Sequence, residues 1–204
     1  MEEHEKRPVG GKRLAPESRG GFWNNWGYLI VTVAVIVVLF KVIFQLSWVP
    51  SGSMETTIPE DTLLISWQLP YMVSDPTPQR GDIVTFWSDE LGKLLVKRVV
   101  GLPGDEITFQ DGYTYINGEM LDESYLPRQG ITQCSASFLV PEGCVFVMGD
   151  NRNHSEDSRF SDVGCVKKEA VLGKVLLVVF PGRQTNEFGA VTGGHSWHRF
   201  GAVS

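Results

Sequence analysis

The feature that most constrains the fold is an uncharged run over residues 20–40, in which every position from Tyr28 to Phe40 except Thr32 is apolar. A buried strand usually has about 4–8 residues, so this run is too long to be one. As a helix rising about 1.5 Å per residue, residues 26–44 would span about 28 Å, close to the thickness of the hydrocarbon core of a bilayer. The sequence therefore predicts one N-terminal transmembrane helix over residues 22–47.

The charges on either side of this run indicate its orientation. Residues 1–21 contain five basic residues and almost nothing apolar to bury, which predicts a disordered tail, whereas Lys41 alone is basic just after the run. Basic residues collect on the cytoplasmic side, so residues 48–204 are expected on the extracytoplasmic side of the cell membrane. A cleaved signal peptide is the alternative, because Ser51-Gly52-Ser53 offers small residues, but the run exceeds the usual apolar length of about 7–15 residues.

Beyond residue 48 the pattern changes to short alternating runs separated by turn residues, which is typical of antiparallel strands. The runs predicted as strands are Thr62–Trp67, Asp82–Trp87, Lys93–Val100, Glu106–Phe109, Tyr113–Ile116, Cys144–Met148 and Lys174–Phe180. A formal net charge of −6 leaves no basic stripe for phosphates, which argues against a nucleic-acid partner. The sequence thus predicts a mainly β domain over residues 48–183 and a Gly-rich loose tail over residues 184–204.

Two segments contain candidate nucleophilic chemistry. Ser51-Gly52-Ser53 follows Pro50 on an irregular turn, where a hydroxyl can be presented beside a free backbone N–H. Lys97 and Arg98 lie in a strand-like apolar run, so they point to opposite faces and at least one long cation meets an apolar layer. Burial lowers the pKa of a lysine, and a neutral amine can serve as the base of a Ser–Lys pair. The alternative is a solvated lysine on an edge strand.

A third segment, from Gly149 to Arg159, concentrates Asp, Asn, Arg and Ser side chains directly after a predicted strand. Loops of this kind often carry functional residues. A triad of Ser53, His154 and Asp157 can be drawn from it. However, His154 and Asp157 lie close together in one loop, and nothing fixes them against Ser53, so the triad is the weaker hypothesis.

Together these segments resemble type I signal peptidases, which are membrane-bound Ser/Lys endopeptidases. The resemblance rests on four motifs in the family's order, which are residues 50–54 (PSGSM), 80–84 (RGDIV), 97–105 (KRVVGLPGD) and 149–159 (GDNRNHSEDSR). It covers about residues 48–183, behind one N-terminal anchor. It implies an irregular antiparallel β-sheet or barrel as the catalytic domain, with a small strand insertion at about residues 107–140.

The resemblance also implies a role for each matching residue. Ser53 would be the nucleophile and Lys97 the general base. Ser51 would add its hydroxyl to an oxyanion hole beside the backbone N–H of Ser53, and Ser155 would hydrogen-bond the Lys97 amine and orient it. The ion pair that holds the loop would be Asp157 with Arg159, supported by Asp150 and Arg152.

The implied activity is the removal of signal peptides of the Ala-x-Ala type from exported preproteins, at the surface of a lipid bilayer. Several apolar side chains could rest among the lipid headgroups, namely Trp67, Leu69, Tyr71, Met72, Phe86 and Trp87. No metal-ligand cluster or nucleotide-binding loop occurs in the sequence, so no cofactor or metal is implied. The alternative function is that of a catalytically inactive relative or a membrane-anchored binding module.

The three cysteines are too few for a disulfide scaffold. Cys134 and Cys144 are ten residues apart and could pair outside the cell, which would leave Cys165 free.

Overall fold

The computed structural model describes residues 22–55, 57–74, 76–185 and 190–203, so the predicted tail over residues 1–21 lies outside the described residues. By its internal contacts the chain divides into two units, residues 1–38 and 39–204. The helices are α1 (Phe22–Ile43) and α2 (Leu69–Val73). The strands are β1 (Phe44–Val49), β2 (Thr62–Trp67), β3 (Ile83–Ser88), β4 (Lys93–Gly101), β5 (Glu106–Gln110), β6 (Tyr113–Ile116), β7 (Glu119–Met120), β8 (Phe138–Leu139), β9 (Cys144–Met148), β10 (Val166–Lys167), β11 (Val171–Phe180), β12 (Arg183–Thr185), β13 (Val191–His195) and β14 (Gly201–Ala202).

The helix predicted from the apolar run supplies the described part of the first unit, residues 22–38, and continues to Ile43. The stretch Trp26–Ile43 is long and apolar enough to cross a membrane, and nearly all of its side chains are exposed. The helix ends at Ile43 rather than at the expected residue 47, because Phe44–Val49 pairs with Thr62–Trp67 as a strand. The end of the apolar run therefore belongs to the β domain.

The second unit is built on an antiparallel sheet, called here the main sheet, with strand order β1-β2-β11-β3-β4-β9-β10 and with β14 beside β11. Strand β11 lies between β2 and β3 although it follows both by a long stretch of chain. Apolar side chains form a cluster that includes Met54, Leu64 and Val178, and another that includes Val84 and Val99. The mainly β antiparallel prediction is confirmed, and the strand path ends at β1 and β10 without closing into a barrel.

The expected insertion forms a separate four-stranded sheet, called here the small sheet, with strand order β7-β6-β5-β8. Its apolar side packs with the end of β9 in a cluster that includes Ile107, Val140 and Phe146. This cluster also receives Cys144 and Cys165. All three cysteines are free thiols, so the possible pair of Cys134 and Cys144 is not formed.

The C-terminal segment does not form the loose tail predicted for it. Strands β12 and β13 pair as a hairpin, and Gly201–Ala202 pairs with β11. Ser196 is buried, and the indole of Trp197 lies edge-on against Phe180 with ring centroids 5.4 Å apart. The prediction failed because a Gly-rich sequence lacks the alternation of apolar and polar residues that marks a strand. The strands of this segment form through pairing, of β12 with β13 and of β14 with β11.

Candidate active site

A tight turn presents Ser53 directly after β1. Residues Gly52–Met54 form one turn of 3-10 helix, closed by a hydrogen bond from the Glu55 N–H to the Gly52 carbonyl. The side chain of Met54 is fully buried in the apolar cluster of the main sheet, and this fixes the turn against the core. Ser53 is left half-buried with its hydroxyl at the surface of a cleft.

Lys97 reaches this turn from the middle of β4. Its position is opposite Val84 in β3, and it shares a face of the strand with Leu95 and Val99. The side chain is buried with an exposed fraction of 2%, and Lys97 Nζ donates a hydrogen bond of 2.5 Å to Ser53 Oγ. The alternative of a solvated lysine on an edge strand is excluded by this burial, although β4 pairs with β3 throughout and with β9 only from Arg98 onward.

The surroundings of Lys97 favour a neutral amine. Burial lowers the pKa of Lys97 from its ordinary 10.5 to about 8. The carboxylate of Asp157 opposes this shift, while the cation of Lys93 on the same strand adds to it. A group with a pKa near 8 is neutral in a useful fraction of molecules at physiological pH, as a general base requires.

The polar loop, residues 149–159, is held by a buried ion pair between Asp157 and Arg159. Arg159 Nε lies 2.8 Å from Asp157 Oδ1, and the exposed fractions of the two side chains are 4% and 0%. Asp157 Oδ2 also accepts a hydrogen bond from the Gly149 N–H at 3.0 Å. One carboxylate therefore ties together the two ends of the loop.

The other two supporting residues do not pair with each other. Asp150 accepts hydrogen bonds of 2.8–3.3 Å from Arg98, the residue on the opposite face of β4 from Lys97, and one of 2.5 Å from Thr57. Arg152 instead bonds Glu123, in the loop between β7 and β8, at 2.5 Å. Asp150 thus connects β4 to the chain just after the serine turn, and Arg152 connects the polar loop to the region of the small sheet.

The hydrogen bond expected between Ser155 and Lys97 is not formed in this structure. Ser155 lines the same cleft, but Ser155 Oγ is buried and has no hydrogen-bond partner among the described residues. Ser155 Oγ lies close to Gly149, where an added Cβ would come within 2.2 Å of that oxygen and 2.4 Å of the Ser53 carbonyl oxygen. A glycine at this position therefore allows the polar loop and the serine turn to pack together.

The cleft has a volume of about 580 Å³ and is lined by four of the eight site residues that the resemblance implies, namely Ser51, Ser53, Lys97 and Ser155. Its lining residues are Ser51, Gly52, Ser53, Glu60, Lys93, Leu95, Lys97, Asn151, Asn153, His154, Ser155 and Glu156. Three residues of the cleft wall were not predicted from the sequence, namely Glu60, Lys93 and Glu156. The alternation of β4 could have shown that Lys93 faces the same way as Lys97, whereas Glu60 carried no signal.

A further residue that the sequence analysis missed joins the serine turn to the polar loop. The Asn151 N–H donates to the Ser53 carbonyl at 3.1 Å, and Asn151 Nδ2 donates to the Gly52 carbonyl at 3.0 Å. The hydroxyl of Ser53 is hydrogen-bonded to the amine of Lys97, and His154 lines the same cleft. The arrangement around Ser53 Oγ is therefore a serine hydroxyl in contact with a buried lysine amine.

Comparison with known proteins identifies the family of the chain. Residues 23–180 match the family model described as signal peptidase, peptidase S26. The chain is 32% identical over 188 residues to the probable signal peptidase I-2 of Synechocystis, with 89% of this chain and 83% of the relative covered. It is 35% identical over 181 residues to the signal peptidase I of Bacillus caldolyticus, with 82% and 94% covered.

A solved structure with a related sequence is the crystal structure of a signal peptidase I from Enterococcus faecalis. It is 38% identical to this chain, covers 48% of this chain and 97% of its own, and superposes with a TM-score of 0.43.

Because the family model matches well over half of the sequence, the chain belongs to the signal peptidase family, peptidase S26. It is a signal peptidase, a hydrolase that cleaves peptide bonds.

Proposed function

We propose that the chain removes signal peptides from exported preproteins with Ser53 as the nucleophile and Lys97 as the general base. The observation that carries this proposal is the 2.5 Å separation between Lys97 Nζ and Ser53 Oγ, combined with the burial of the lysine. An inactive relative or a binding module would have no reason to keep a desolvated amine against a hydroxyl.

The proposed reaction has two stages, acylation and hydrolysis. Neutral Lys97 takes the proton of Ser53 as its oxygen attacks the scissile carbonyl carbon, and the resulting ammonium returns that proton to the leaving amine. The signal peptide is then held on Ser53 as an ester. Lys97 removes a proton from a water molecule as the water oxygen attacks the ester carbonyl, and the Lys97 ammonium then returns that proton to the departing Ser53 oxygen, which restores the hydroxyl.

Two groups at the start of the serine turn are suited to the oxyanion that forms during both stages. The N–H groups at the beginning of a helical turn have no partner within it, so the Ser53 N–H is available to a ligand. Ser51 lines the cleft beside it. We propose that the Ser51 hydroxyl and the Ser53 N–H stabilise the oxyanion, each lowering the barrier by about 3–4 kcal/mol. Ser155 is not bonded to Lys97 in this structure, but its buried hydroxyl has no partner among the described residues and lines the same cleft, so we propose that it turns to orient the Lys97 amine during the reaction.

Substrate selection is proposed to follow from a small recess beside Ser53. This recess has a volume of about 90 Å³ and apolar walls from Val49, Pro50, Leu95 and Val96. A recess of this size and apolar lining suits a small side chain such as that of alanine. Pairing of β4 with β9 starts at Arg98, so the part of β4 before it can accept an extended peptide by strand addition. Together these features support Ala-x-Ala substrates.

Association with the bilayer is proposed from two surfaces. The first is α1, by its length and apolar composition. The second is the outer face of β1, β2 and β11, on which Leu46, Trp48, Trp67 and Leu177 are all exposed. Of the residues expected to meet headgroups, Trp67, Met72 and Trp87 are exposed, and Leu69 and Tyr71 are half-buried. The prediction for Phe86 is wrong, because its side chain is buried in the core. An exposed aromatic and aliphatic patch suits a lipid interface.

The proposed topology places the N-terminus in the cytoplasm and residues 48–204 outside, because basic residues precede the span. In intact, wall-stripped cells, added protease is expected to digest a C-terminal tag and spare an N-terminal one. Detergent-permeabilised cells are the control, in which both tags are lost. Loss of the N-terminal tag alone from intact cells would show the inverted orientation.

One incubation tests the catalytic proposal directly. Purified full-length chain in detergent, mixed with a secretory precursor, is expected to release the signal peptide, and the Ser53→Ala variant is expected to leave the precursor intact. Ser196→Ala, which alters a buried serine in the C-terminal segment, is the matched control and should retain activity. Cleavage by Ser53→Ala at the wild-type rate would refute the assignment of the nucleophile.

A further inference from the structure

Glu123 and Tyr125, in the loop between β7 and β8, are bonded to the guanidinium of Arg152 in the polar loop. Glu123 has an exposed fraction of 2%, and its Oε1 accepts a hydrogen bond of 2.5 Å from Arg152 Nη1. Arg152 Nη2 donates to the Tyr125 hydroxyl oxygen at 3.0 Å, and Nη1 lies 3.3 Å from the hydroxyls of Thr114 and Thr132. A fully buried cation is therefore surrounded by partners from outside the polar loop.

Tyr125 also contacts the second arginine of this region. The guanidinium carbon of Arg98 lies 4.1 Å from the centre of the Tyr125 ring, and that of Arg152 lies 5.9 Å from it. Burial raises the pKa of Tyr125 to about 12, so its hydroxyl stays protonated and donates to Glu123 Oε1 at 3.4 Å. Arg98 in turn holds Asp150. Glu123 and Tyr125 thus contact Arg152, which follows Asn151 in the chain. Tyr125 also contacts Arg98, the partner of Asp150, which precedes Asn151.

Asn151 is the residue that the serine turn rests on. Its N–H and its side-chain amide donate to the carbonyls of Ser53 and Gly52. Arg152, the next residue, donates from Nε to the Gly149 carbonyl at 3.2 Å, and its own carbonyl accepts a hydrogen bond from Arg159. The path of this segment is therefore set on one side by the serine turn and on the other by the partners of Arg152.

We propose that Glu123 is a positioning residue for Ser53, acting through Arg152 to fix residues 150–152 against the serine turn. This inference rests on the proposed Ser53 and Lys97 chemistry. It means that a residue in the loop between β7 and β8 affects the rate of catalysis. Glu123 itself is bonded to Arg152 and Tyr125 and does not line the cleft.

The test compares Glu123→Gln with Glu119→Gln in the full-length enzyme. Glu119 is an exposed acid on β7 of the small sheet, so its variant matches the change in charge without touching Arg152. Active sites are counted with a reagent that acylates Ser53, and kcat per active site and KM are measured on a precursor. We expect kcat per active site to fall by about 10- to 100-fold in Glu123→Gln, with little change in KM, because displacement of a reacting group by about 1 Å has effects of this size.

A pH profile separates positioning from a purely structural role. The charged groups that act on Lys97 are Lys93, Glu156, Asp157 and Asp150, and Glu123 is not among them. Loosening of the polar loop would admit water to Lys97 and reduce its desolvation, so its pKa would rise. We expect the apparent pKa of kcat/KM to move upward in Glu123→Gln and to stay at the wild-type value in Glu119→Gln.

The outcomes are distinct from those of the catalytic test. If Glu123→Gln melts earlier but keeps the wild-type kcat per active site and pH profile, Glu123 has a structural role only and the proposal is wrong. If Glu123→Gln does not fold, Tyr125→Phe removes one hydroxyl from the same contact, and a wild-type kcat in that variant would also overturn the proposal. Absence of cleavage by the wild-type enzyme would refute the proposed function instead.

Discussion

Replacing Lys97 by arginine is expected to lower kcat by about 10²–10⁴-fold, which is the usual contribution of a general base. The guanidinium keeps its proton at any accessible pH, so it cannot accept the proton of Ser53 even if it reaches the same position. The loss should be measured as release of signal peptide from a precursor, with folding checked by thermal unfolding.

Lys167→Arg is the matched control, because Lys167 is exposed on β10 and does not line the cleft. This variant should retain activity. Cleavage by Lys97→Arg at a rate near that of the wild type would exclude the Ser/Lys mechanism.

The same lysine predicts how wild-type activity depends on pH. With the pKa of Lys97 lowered to about 8, roughly a tenth of the amine is neutral at pH 7, compared with about one in 2,500 for an ordinary lysine. Cleavage should therefore rise through an apparent pKa near 8 and level off above it, and it should fall about tenfold per unit well below it. A rate that does not change between pH 6 and pH 9 would show that the base is another group.

Replacing Asp157 by asparagine is expected to lower both stability and activity. The carboxylate is fully buried, with Arg159 and the Gly149 N–H as its partners, so its removal leaves the guanidinium without a counter-charge. Breaking a buried pair in this way costs about 3–5 kcal/mol in the free energy of unfolding. Urea unfolding followed by tryptophan fluorescence measures that cost, and precursor cleavage measures the accompanying loss of activity.

Glu156→Gln serves as the control for this variant. Glu156 is the adjacent acid in the polar loop, but its ion pair with Lys93 is exposed, with exposed fractions of 65% and 52%. Exposed pairs contribute about 0–1 kcal/mol, so unfolding should hardly change. Equal stability losses in the two variants would contradict the assignment of Asp157 as the residue that holds the loop.

The sequence predicted those strands that have turn residues at both ends. Tyr113–Ile116 and Cys144–Met148 were predicted with their observed bounds. Strand β1 was not predicted, because Phe44–Val49 continues the apolar run of the helix and becomes a strand only by pairing with β2. The hairpin of β12 and β13 was missed for a similar reason. These two strands form by pairing with each other, and neither shows a local alternation of apolar and polar residues.

The candidate site could be predicted from the sequence where a residue type is unusual for its surroundings. A lysine inside an apolar strand and a serine in a glycine turn pointed to their roles, and the resemblance joined them across 44 residues. Glu123 could not be found in this way, because it is a single acid in an irregular loop and its partner lies 29 residues further along the chain. For the same reason, the partners of Asp150 and Arg152 could not be named from the sequence, since only the folded chain brings Arg98 and Glu123 to them.

The position of β11 in the main sheet bears on when the enzyme becomes active during synthesis. Ser53 follows β1, which pairs with β2, and Lys97 lies on β4, which pairs with β3. Strand β11 separates β2 from β3, and just beyond it the Gly182 N–H bonds Thr62 across 120 residues. Contacts so distant in sequence form late, because closing the intervening loops has an entropic cost. A chain still emerging from the ribosome already contains Ser53 and Lys97 but lacks the strand between β2 and β3, and we expect it to cleave no precursor until β11 has been made.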